Sequence, residues 1–460
     1  MKICTSEIDN LIGIEVYAAE TEGIGGVIRQ SVDDFKVEEV LVDGSKAAIE
    51  KITESRVLGA SGIKQHYLLC VLVKRNWDTF TAIKRVAEQL GISPRQISIA
   101  GIKDAKAVTA QHITIENATT EDIAKVNVRD IELRPLGYIR EKLSPYYLLG
   151  NNFTIKIKAI KLPEATAAKQ IAETIETLNA LGGLPNFFGH QRFGTTRPIT
   201  HIVGKALVKG DFEEAAMQFL ANPSSREHPS SRQAREALQS TRDFKRALQN
   251  FPRHLRYERL MLQHLADQPE DFVGAFKRLP FKLQALFVQA YQSYLFNRFL
   301  SERIKQGLSL SRAEIGDYVL RVDRLGLPMP NTAKAVSSET IAEANELIKA
   351  GKMRIALPLV GPKQKLAGGI TGQIVHRILE EEGVEANGFK ITAVPSISAR
   401  GGFRAVLSPI KNFKLDAVSV CANDNSEREA NLSFTLQRGS YATVLLREIM
   451  KPHSPDRVGF

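Results

Sequence analysis

The sequence predicts an α+β fold in which strand-rich segments at both ends of the chain flank a helix-rich middle. Residues 66–74 form one apolar run bounded by polar residues, as in a buried strand. Residues 152–158 alternate between apolar and polar side chains, as in a half-buried strand. Helical spacing dominates residues 195–395, and strand patterns return at 403–407 and 431–436. Periodicity alone permits either three domains in series or one strand-rich domain interrupted by a helical insertion.

The helices are indicated by capping residues and by the spacing of apolar side chains. Asp78 precedes a helical pattern that Gly91 ends. In the middle region, helical patterns cover residues 212–220, 231–249, 255–265, 281–304 and 340–350. Within residues 281–304, Phe287, Tyr291 and Tyr294 fall on one helical face, which predicts a stripe that packs in the core.

Composition favours a basic, packed, intracellular protein. The chain has 460 residues, of which 43% are hydrophobic, so it is long enough for two or three packed domains. The net charge of +11 favours a polyanionic partner such as nucleic acid, although a basic protein without such a partner has the same charge. The longest apolar run is too short to span a bilayer, and residues 1–7 lack the apolar stretch of a signal peptide. We therefore expect a cytoplasmic protein.

The cysteines indicate no shared site. Cys4, Cys70 and Cys421 are far apart and form no C-x-x-C pair, so neither a disulfide framework nor a zinc ribbon is predicted. Cys70 lies in the apolar run, which predicts a thiol buried in the core.

One short segment carries a candidate for chemistry. Residues 100–111 place Asp104 on a turn between two apolar stretches, with Lys103 and Lys106 beside it. A carboxylate near fixed positive charge stays ionised and can act as a nucleophile or a base. A solvated Lys-Asp hairpin has the same local pattern. What favours a functional site is the presence of three further motif-like segments: 34–39, 184–194 and 439–448.

Together the four segments resemble the TruD family of tRNA pseudouridine synthases, and they occur in that family's order. Members of the family convert the uridine at position 13, in the D arm of tRNA, to its C-glycoside isomer. The resemblance implies a discontinuous catalytic domain with a mixed or antiparallel sheet. Its two parts would be residues 1–194 and 396–460, and an insertion (TRUD) domain would occupy residues 195–395. The length and the insertion are similar to the archaeal branch of the family.

The resemblance also implies the residues of the site. The catalytic aspartate would be Asp104, and the substrate-binding residues would be Phe35, Asn186, Phe188, Tyr441 and Arg29. Arg29 stands where the family places a basic residue near the aspartate, and such a pair would orient the carboxylate. Position 105 is alanine where the family often has arginine, and position 441 is tyrosine where it often has phenylalanine. We assign no catalytic role to His190, which replaces a residue that is often small.

Forming a C-glycoside from an N-glycoside requires that uracil be detached, turned and rejoined through its C5. An aspartate can attack C1′ of the ribose or remove a proton from C2′, and neither route needs a metal or other cofactor. The sequence contains no G-x-x-x-x-G-K-[ST] and no H-E-x-x-H motif, so we predict no cofactor.

The predicted partner is tRNA, bound through its D-arm region, with neither a membrane nor an obligate protein partner; a monomer is compatible with the sequence. The expected phosphate contacts are Lys74, Arg75, Lys156, Lys158 and Arg197.

Two other functions remain open from sequence. One is a non-catalytic tRNA-binding protein or RNA chaperone, against which the intact Asp104 and Asn186 argue. The other is a different RNA-modifying enzyme such as a methyltransferase, for which the expected nucleotide-type cofactor loop is not found. The sequence does not decide which tRNAs are substrates.

Overall fold

The computed structural model describes residues 1–51, 57–364, 366, 368–421 and 424–460. In these ranges the strands are β1 (Lys2–Ile3), β2 (Val16–Tyr17), β3 (Phe35–Leu41), β4 (Tyr67–Arg75), β5 (Ile97–Ile99), β6 (Val108–Glu116), β7 (Ile131–Ile139), β8 (Leu148–Ile160), β9 (Leu184–Pro185), β10 (Tyr318–Arg321), β11 (Lys334–Ala335), β12 (Met353–Leu359), β13 (Gly402–Ala405), β14 (Leu407–Ser408), β15 (Ile410–Cys421) and β16 (Asp424–Gln437).

The α-helices in the same ranges are α1 (Glu7–Leu11), α2 (Thr79–Leu90), α3 (Thr120–Ala124), α4 (Glu164–Ala180), α5 (Thr200–Val208), α6 (Phe212–Ala221), α7 (Pro229–Thr241), α8 (Phe244–Asn250), α9 (Arg256–Asp267), α10 (Phe272–Lys277), α11 (Phe281–Lys305), α12 (Ile341–Lys349), α13 (Gly369–Glu382) and α14 (Ala442–Met450). Among the described residues, no helix is both long and apolar enough to cross a bilayer.

The largest sheet is mixed, and it confirms the predicted α+β class. Its strand order is β15-β16-β8-β3-β6-β4-β7, and β5 pairs with the far end of β6. Every pairing is antiparallel except β3 with β6, which run parallel with Lys36 opposite Val108. Cys70 lies at the centre of β4 and is fully buried, which confirms it as a core thiol.

The parallel pair explains how distant loops meet. Parallel strands begin at the same edge of a sheet. The chain that enters β3, including Arg29, therefore lies beside residues 100–107, which enter β6 and which we name the Asp104 loop. The capped helix α2 precedes β5 and this loop; it begins after Asp78 and ends at Gly91 in the left-handed conformation, as predicted.

The middle region departs from the sequence patterns in two places. The helix predicted over 231–249 is two helices, because Arg242 ends α7 with φ +50° and Asp243 caps α8 by accepting a hydrogen bond from the backbone of Arg246. The region also contains the antiparallel strands β11, β10 and β12, and β12 pairs with β13 beyond residue 395. The sequence patterns missed β10 and β11, which have only four and two residues, and also missed β12, whereas β13 overlaps the strand predicted at 403–407.

Helix α11 joins the middle region to the flanking segments. Phe287 and Tyr291 are buried and Tyr294 is half-buried, so the predicted core stripe is confirmed. The buried amide of Asn297 donates to the carbonyl oxygens of Ile12 and Phe188, at 2.9 and 3.0 Å, and accepts from the backbone N–H of Phe188. Helix α11 thereby fixes the segment that contains the 184–194 motif.

The boundaries at 194/195 and 395/396 stay a prediction. The four-stranded sheet extends across the second one, since β13 pairs with β12.

Candidate active site

Asp104 and Arg29 form an ion pair in a partly open position. Arg29 Nη2 donates to Asp104 Oδ1 at 2.8 Å, and the two side chains are 11% and 29% exposed. Arg29 Nη1 donates to the carbonyl of Gly459 at 2.8 Å, and the guanidinium lies 4.0 Å from the centre of the Phe35 ring. Burial lowers the pKa of Arg29, and Asp104 opposes that shift. No described residue donates a hydrogen bond to Oδ2 of Asp104, so that oxygen is available for chemistry.

The backbone of the Asp104 loop is held by buried polar groups. Lys74 Nζ donates to the carbonyl oxygens of Asp104 and Trp77, at 2.6 and 2.7 Å. The Lys74 side chain is fully buried, and burial lowers its pKa to about 8. At the start of the loop, Gln111 Nε2 donates to the carbonyl of Gly101 at 3.0 Å.

Residue 103 is fixed through both its backbone and its side chain. Thr79 Oγ1 accepts from the backbone N–H of Lys103 at 3.1 Å, and Lys103 Nζ lies 2.7 Å from Glu39 Oε1 in a fully buried pair. Glu39 also accepts from the backbone N–H of His112. The lysine beside the catalytic candidate is therefore a structural anchor, which its position in the motif did not reveal.

A cleft of about 480 Å³ opens beside Asp104. It lies over one face of the large sheet, between the Asp104 loop and the turn before α14. The side chains of its wall include Phe35, Asp104, Asn151, Phe153, Gln191 and Tyr441. The cleft thus joins a carboxylate to aromatic surface, and its volume is in the range that takes a small organic ligand.

Asn186 and Phe188 contact the wall of this cleft but do not line it. Asn186 Oδ1 accepts from Arg404 Nη2 at 2.7 Å and from Ser440 at 3.4 Å, and its Nδ2 donates to the carbonyl of Ala405. The Phe188 ring lies 6.2 Å from the Tyr441 ring, edge to face. Of the residues predicted to bind substrate, Phe35 and Tyr441 line the cleft, Arg29 reaches it only through its ion pair with Asp104, and Asn186 and Phe188 lie beside it.

Arg404 is a site residue that the sequence motifs did not single out. Its guanidinium lies 4.0 Å from the centre of the Phe188 ring, and it donates to Asn186 and to the carbonyl of Gly439. No described carboxylate pairs with it, and burial lowers its pKa to about 10, which Tyr441 opposes. The only sequence signal was an arginine within a predicted strand, which is common on a surface.

His190 has a structural environment, in line with the absence of an assigned role. It is buried, and its Nε2 lies 2.6 Å from Asp9 Oδ1. Asp9 also accepts from Arg447 Nε at 2.6 Å. Burial raises the pKa of Asp9, but Arg447 and His190 outweigh burial and lower that pKa to about 2. These three side chains join the N-terminal segment, the 184–194 motif and α14.

The cations expected to contact phosphate already interact with groups of the protein itself. The prediction for Lys74 is wrong, because its side chain is fully buried against backbone carbonyls. The other four lie within ion-pair distance of carboxylates: Arg75 of Asp33, Lys156 of Glu429, Lys158 of Asp34 and Arg197 of Glu258. Two exposed cations near the cleft, Lys106 and Arg438, have no carboxylate partner among the described residues.

The described residues include no group of three or more His, Cys, Asp or Glu side chains that could hold a metal ion. What the geometry offers is a carboxylate with one free oxygen, an arginine that orients it, and an aromatic cleft.

Nearly the whole chain is similar to known tRNA pseudouridine synthases. The family model for tRNA pseudouridine synthase D (TruD) matches residues 11–449. A probable tRNA pseudouridine synthase D of Methanosarcina mazei is 40% identical over 446 residues, which cover 97% of this chain and 98% of that one. A probable tRNA pseudouridine synthase D of Thermococcus sibiricus is 37% identical over 441 residues, covering 95% and 97%.

The crystal structure of a putative TruD from Methanosarcina mazei superposes with a TM-score of 0.82, at 38% identity and 99% coverage of both chains. These relatives are archaeal, as the length and the insertion had indicated. With a family model that matches most of the chain and a fold shared over nearly all of it, this protein belongs to the tRNA pseudouridine synthase D family.

Proposed function

We propose that this protein isomerises uridine to pseudouridine in tRNA, at U13 of the D arm, and that Asp104 acts on the target nucleotide. The observation that carries the proposal is the Arg29–Asp104 pair at an aromatic cleft, in a chain of this family. The relatives are named for pseudouridine synthesis in tRNA, and the net charge of +11 suits an RNA substrate.

The carboxylate of Asp104 supplies the reactive group. It either attacks C1′ of the ribose or removes a proton from C2′, and both routes require an ionised oxygen that can reach the sugar. Arg29 binds Oδ1 and orients the carboxylate, which leaves Oδ2 to act. Lys74 holds the backbone of the same residue, so the carboxylate is positioned from both its side chain and its main chain.

The cleft supplies the space for the base. A uridine stacked within tRNA must leave its stack to reach Asp104. A volume of about 480 Å³ accepts a nucleoside, and the rings of Phe35 and Tyr441 offer faces or edges for uracil. Asn186 and Phe188 would act through the wall of the cleft, since Phe188 packs against Tyr441 and Asn186 accepts a hydrogen bond from Ser440.

The test is a pseudouridine assay on unmodified tRNA transcripts without added cofactor. Product is mapped by carbodiimide adducts and primer extension for wild type, Asp104→Asn and a matched control, Asp416→Asn, which changes an exposed aspartate on β15. We expect a stop for U13 with wild type and Asp416→Asn and none with Asp104→Asn, while tRNA affinity stays nearly equal for all three.

Other results point elsewhere. Product from Asp104→Asn would remove Asp104 from its role, and a stop at another uridine would correct the target position. Tight binding of tRNA with no product from any of the proteins would favour a non-catalytic tRNA-binding protein. Thermal stabilisation by S-adenosylmethionine would favour a methyltransferase.

A further inference from the structure

A large apolar side chain is exposed to solvent close to Asp104. Ile102 lies on the Asp104 loop, forms part of the cleft wall and is 62% exposed. Single exposed apolar side chains are ordinary on protein surfaces, so exposure alone carries no argument. Ile102 differs from such residues in two ways: its backbone is anchored on both sides, and it lies beside the carboxylate that the target nucleotide must reach.

The backbone on both sides of Ile102 is anchored. On one side, the carbonyl of Gly101 accepts from Gln111, and on the other the backbone N–H of Lys103 donates to Thr79. The buried pair of Lys103 with Glu39 adds a third attachment. Withdrawing this stretch of backbone into the protein would break these buried and partly buried hydrogen bonds, each of which is unfavourable to lose without a replacement. The loop therefore presents an apolar side chain rigidly to whatever occupies the cleft.

A stacked nucleotide that moves into a protein pocket leaves a gap between its neighbours. Proteins that open base stacks insert apolar side chains between base steps, and enzymes that act on a base must extrude it. Ile102 is branched, apolar, rigidly held and only two positions from the carboxylate that the extruded nucleotide must reach. Its side chain is therefore close to the space from which the target base departs.

We propose that Ile102 enters the base stack of the tRNA and fills the gap left by the extruded uridine. This inference rests on the proposed function, because it takes Asp104 as the group that the uridine reaches. The role is to stabilise the opened RNA, and it has no part in the making or breaking of the glycosidic bond. Ile102 should therefore affect the reaction rate when bases flank the target uridine, and should have little effect when the flanking nucleotides are abasic.

The first experiment compares two substrates under single-turnover conditions. One is the unmodified tRNA transcript, and the other is the same RNA with abasic nucleotides on either side of the mapped uridine. The proteins are wild type, Ile102→Ala, Ile102→Met and Ile63→Ala. Ile63 is the matched control, because it is 78% exposed and does not line the cleft.

On the intact transcript we expect Ile102→Ala to react about ten-fold or more slowly than wild type, since separating stacked bases is unfavourable. Ile102→Met should keep most of the rate because it retains a large apolar side chain, and Ile63→Ala should equal wild type. On the abasic substrate, Ile102→Ala should come within about two-fold of wild type, since no base stack remains to be opened.

The second experiment reads base extrusion without turnover. Each protein carries Asp104→Asn, and 2-aminopurine replaces the base next to the target. Binding at saturating protein should raise the fluorescence with Asp104→Asn alone and with Ile63→Ala added. A clearly smaller rise is expected with Ile102→Ala added, because the neighbouring base can restack. This measurement decides the matter if the abasic RNA is a poor substrate for wild type.

Equal loss by Ile102→Ala on both substrates, with an unchanged fluorescence rise, would make Ile102 a wall of the uracil pocket and overturn the proposal. Unchanged kinetics and fluorescence would overturn it as well. In either case wild type would still form pseudouridine, so the proposed function would stand. Absence of product from wild type would overturn the proposed function instead.

Discussion

Arg29 Nη2 lies 2.8 Å from Asp104 Oδ1, although 75 positions separate the two residues in the sequence. Arg29 reaches this position with φ at +59°, in the left-handed region that few non-glycine residues adopt. Its other terminal nitrogen donates to the carbonyl of Gly459, so the guanidinium is fixed at both ends of its fork. The pair depends on three separate segments of the chain.

Replacement of Arg29 should impair chemistry more than binding. Arg29→Gln removes the charge that orients Asp104, and a small displacement of a reacting group lowers rates by about 100-fold. We expect kcat to fall by about that factor while the KM for tRNA changes little. Arg29→Lys should recover only part of the rate, because an ammonium cannot bind Asp104 and Gly459 in the same planar geometry. A fall in affinity with an unchanged kcat would instead make Arg29 a tRNA contact.

Lys74 should act as a positioning residue for the Asp104 loop. Lys74→Met leaves the carbonyl oxygens of Asp104 and Trp77 without a donor. We expect destabilisation of about 1–3 kcal/mol for each buried group left unpaired. We also expect a fall in kcat of about ten-fold or more with KM nearly unchanged, because the carboxylate is displaced.

The readout for Lys74 is the split between kcat and KM in steady-state kinetics, measured well below the melting temperature of the variant. A lower melting temperature with unchanged kcat would show that Lys74 only stabilises the fold. Lys84→Met is a suitable control, because Lys84 is an exposed lysine on α2 that pairs with Glu88.

Lys106 and Arg438 lie near the cleft without a carboxylate partner among the described residues, and we expect them to contribute to the salt dependence of tRNA binding. A plot of log K against log salt has a negative slope. Lys106→Gln and Arg438→Gln should each make this slope less steep by about 0.7–0.9, the value expected for one phosphate contact. Arg242→Gln serves as the control, since Arg242 is exposed but already paired with Glu213 in the middle region. Equal slopes for all three variants and wild type would mean that phosphates are bound elsewhere. The measurement is a titration of labelled tRNA at several salt concentrations.

The buried Asp9 should make the stability of the fold depend on pH in the acidic range. Its pKa is lowered from the ordinary 3.8 to about 2, so its contribution is present above pH 4 and is lost as pH falls from about 4 to about 2. The shift corresponds to about 2 kcal/mol. Asp9→Asn leaves Arg447 buried without its main partner, and we expect a loss of about 3–5 kcal/mol at neutral pH.

Denaturant midpoints measured between pH 2 and 7 test this expectation. The difference in stability between wild type and Asp9→Asn should shrink as pH falls below 4. Asp33→Asn, which removes an exposed partner of Arg75, should change stability by less than about 1 kcal/mol at any pH. If the difference in stability between wild type and Asp9→Asn is constant from pH 2 to 7, ionisation of Asp9 does not stabilise the fold.

The sequence by itself determined the α+β class, the helix that runs from Asp78 to Gly91, the core stripe of α11 and the family. Each of these depends on local spacing, on capping residues or on motifs in a fixed order, and such signals are carried by neighbouring residues. The four motifs also predicted which residues to examine. Their catalytic roles remain predictions.

Only the tertiary structure decided which of those residues meet. Arg29 reaches Asp104 because β3 and β6 run parallel, and strand direction in a sheet is not visible in either strand alone. Lys74 resembled a surface cation but is buried under the Asp104 loop, and Arg404 resembled one but stacks on Phe188. Burial and ion pairing depend on which segments the fold brings together, so local sequence cannot show which charged side chains remain free for a substrate.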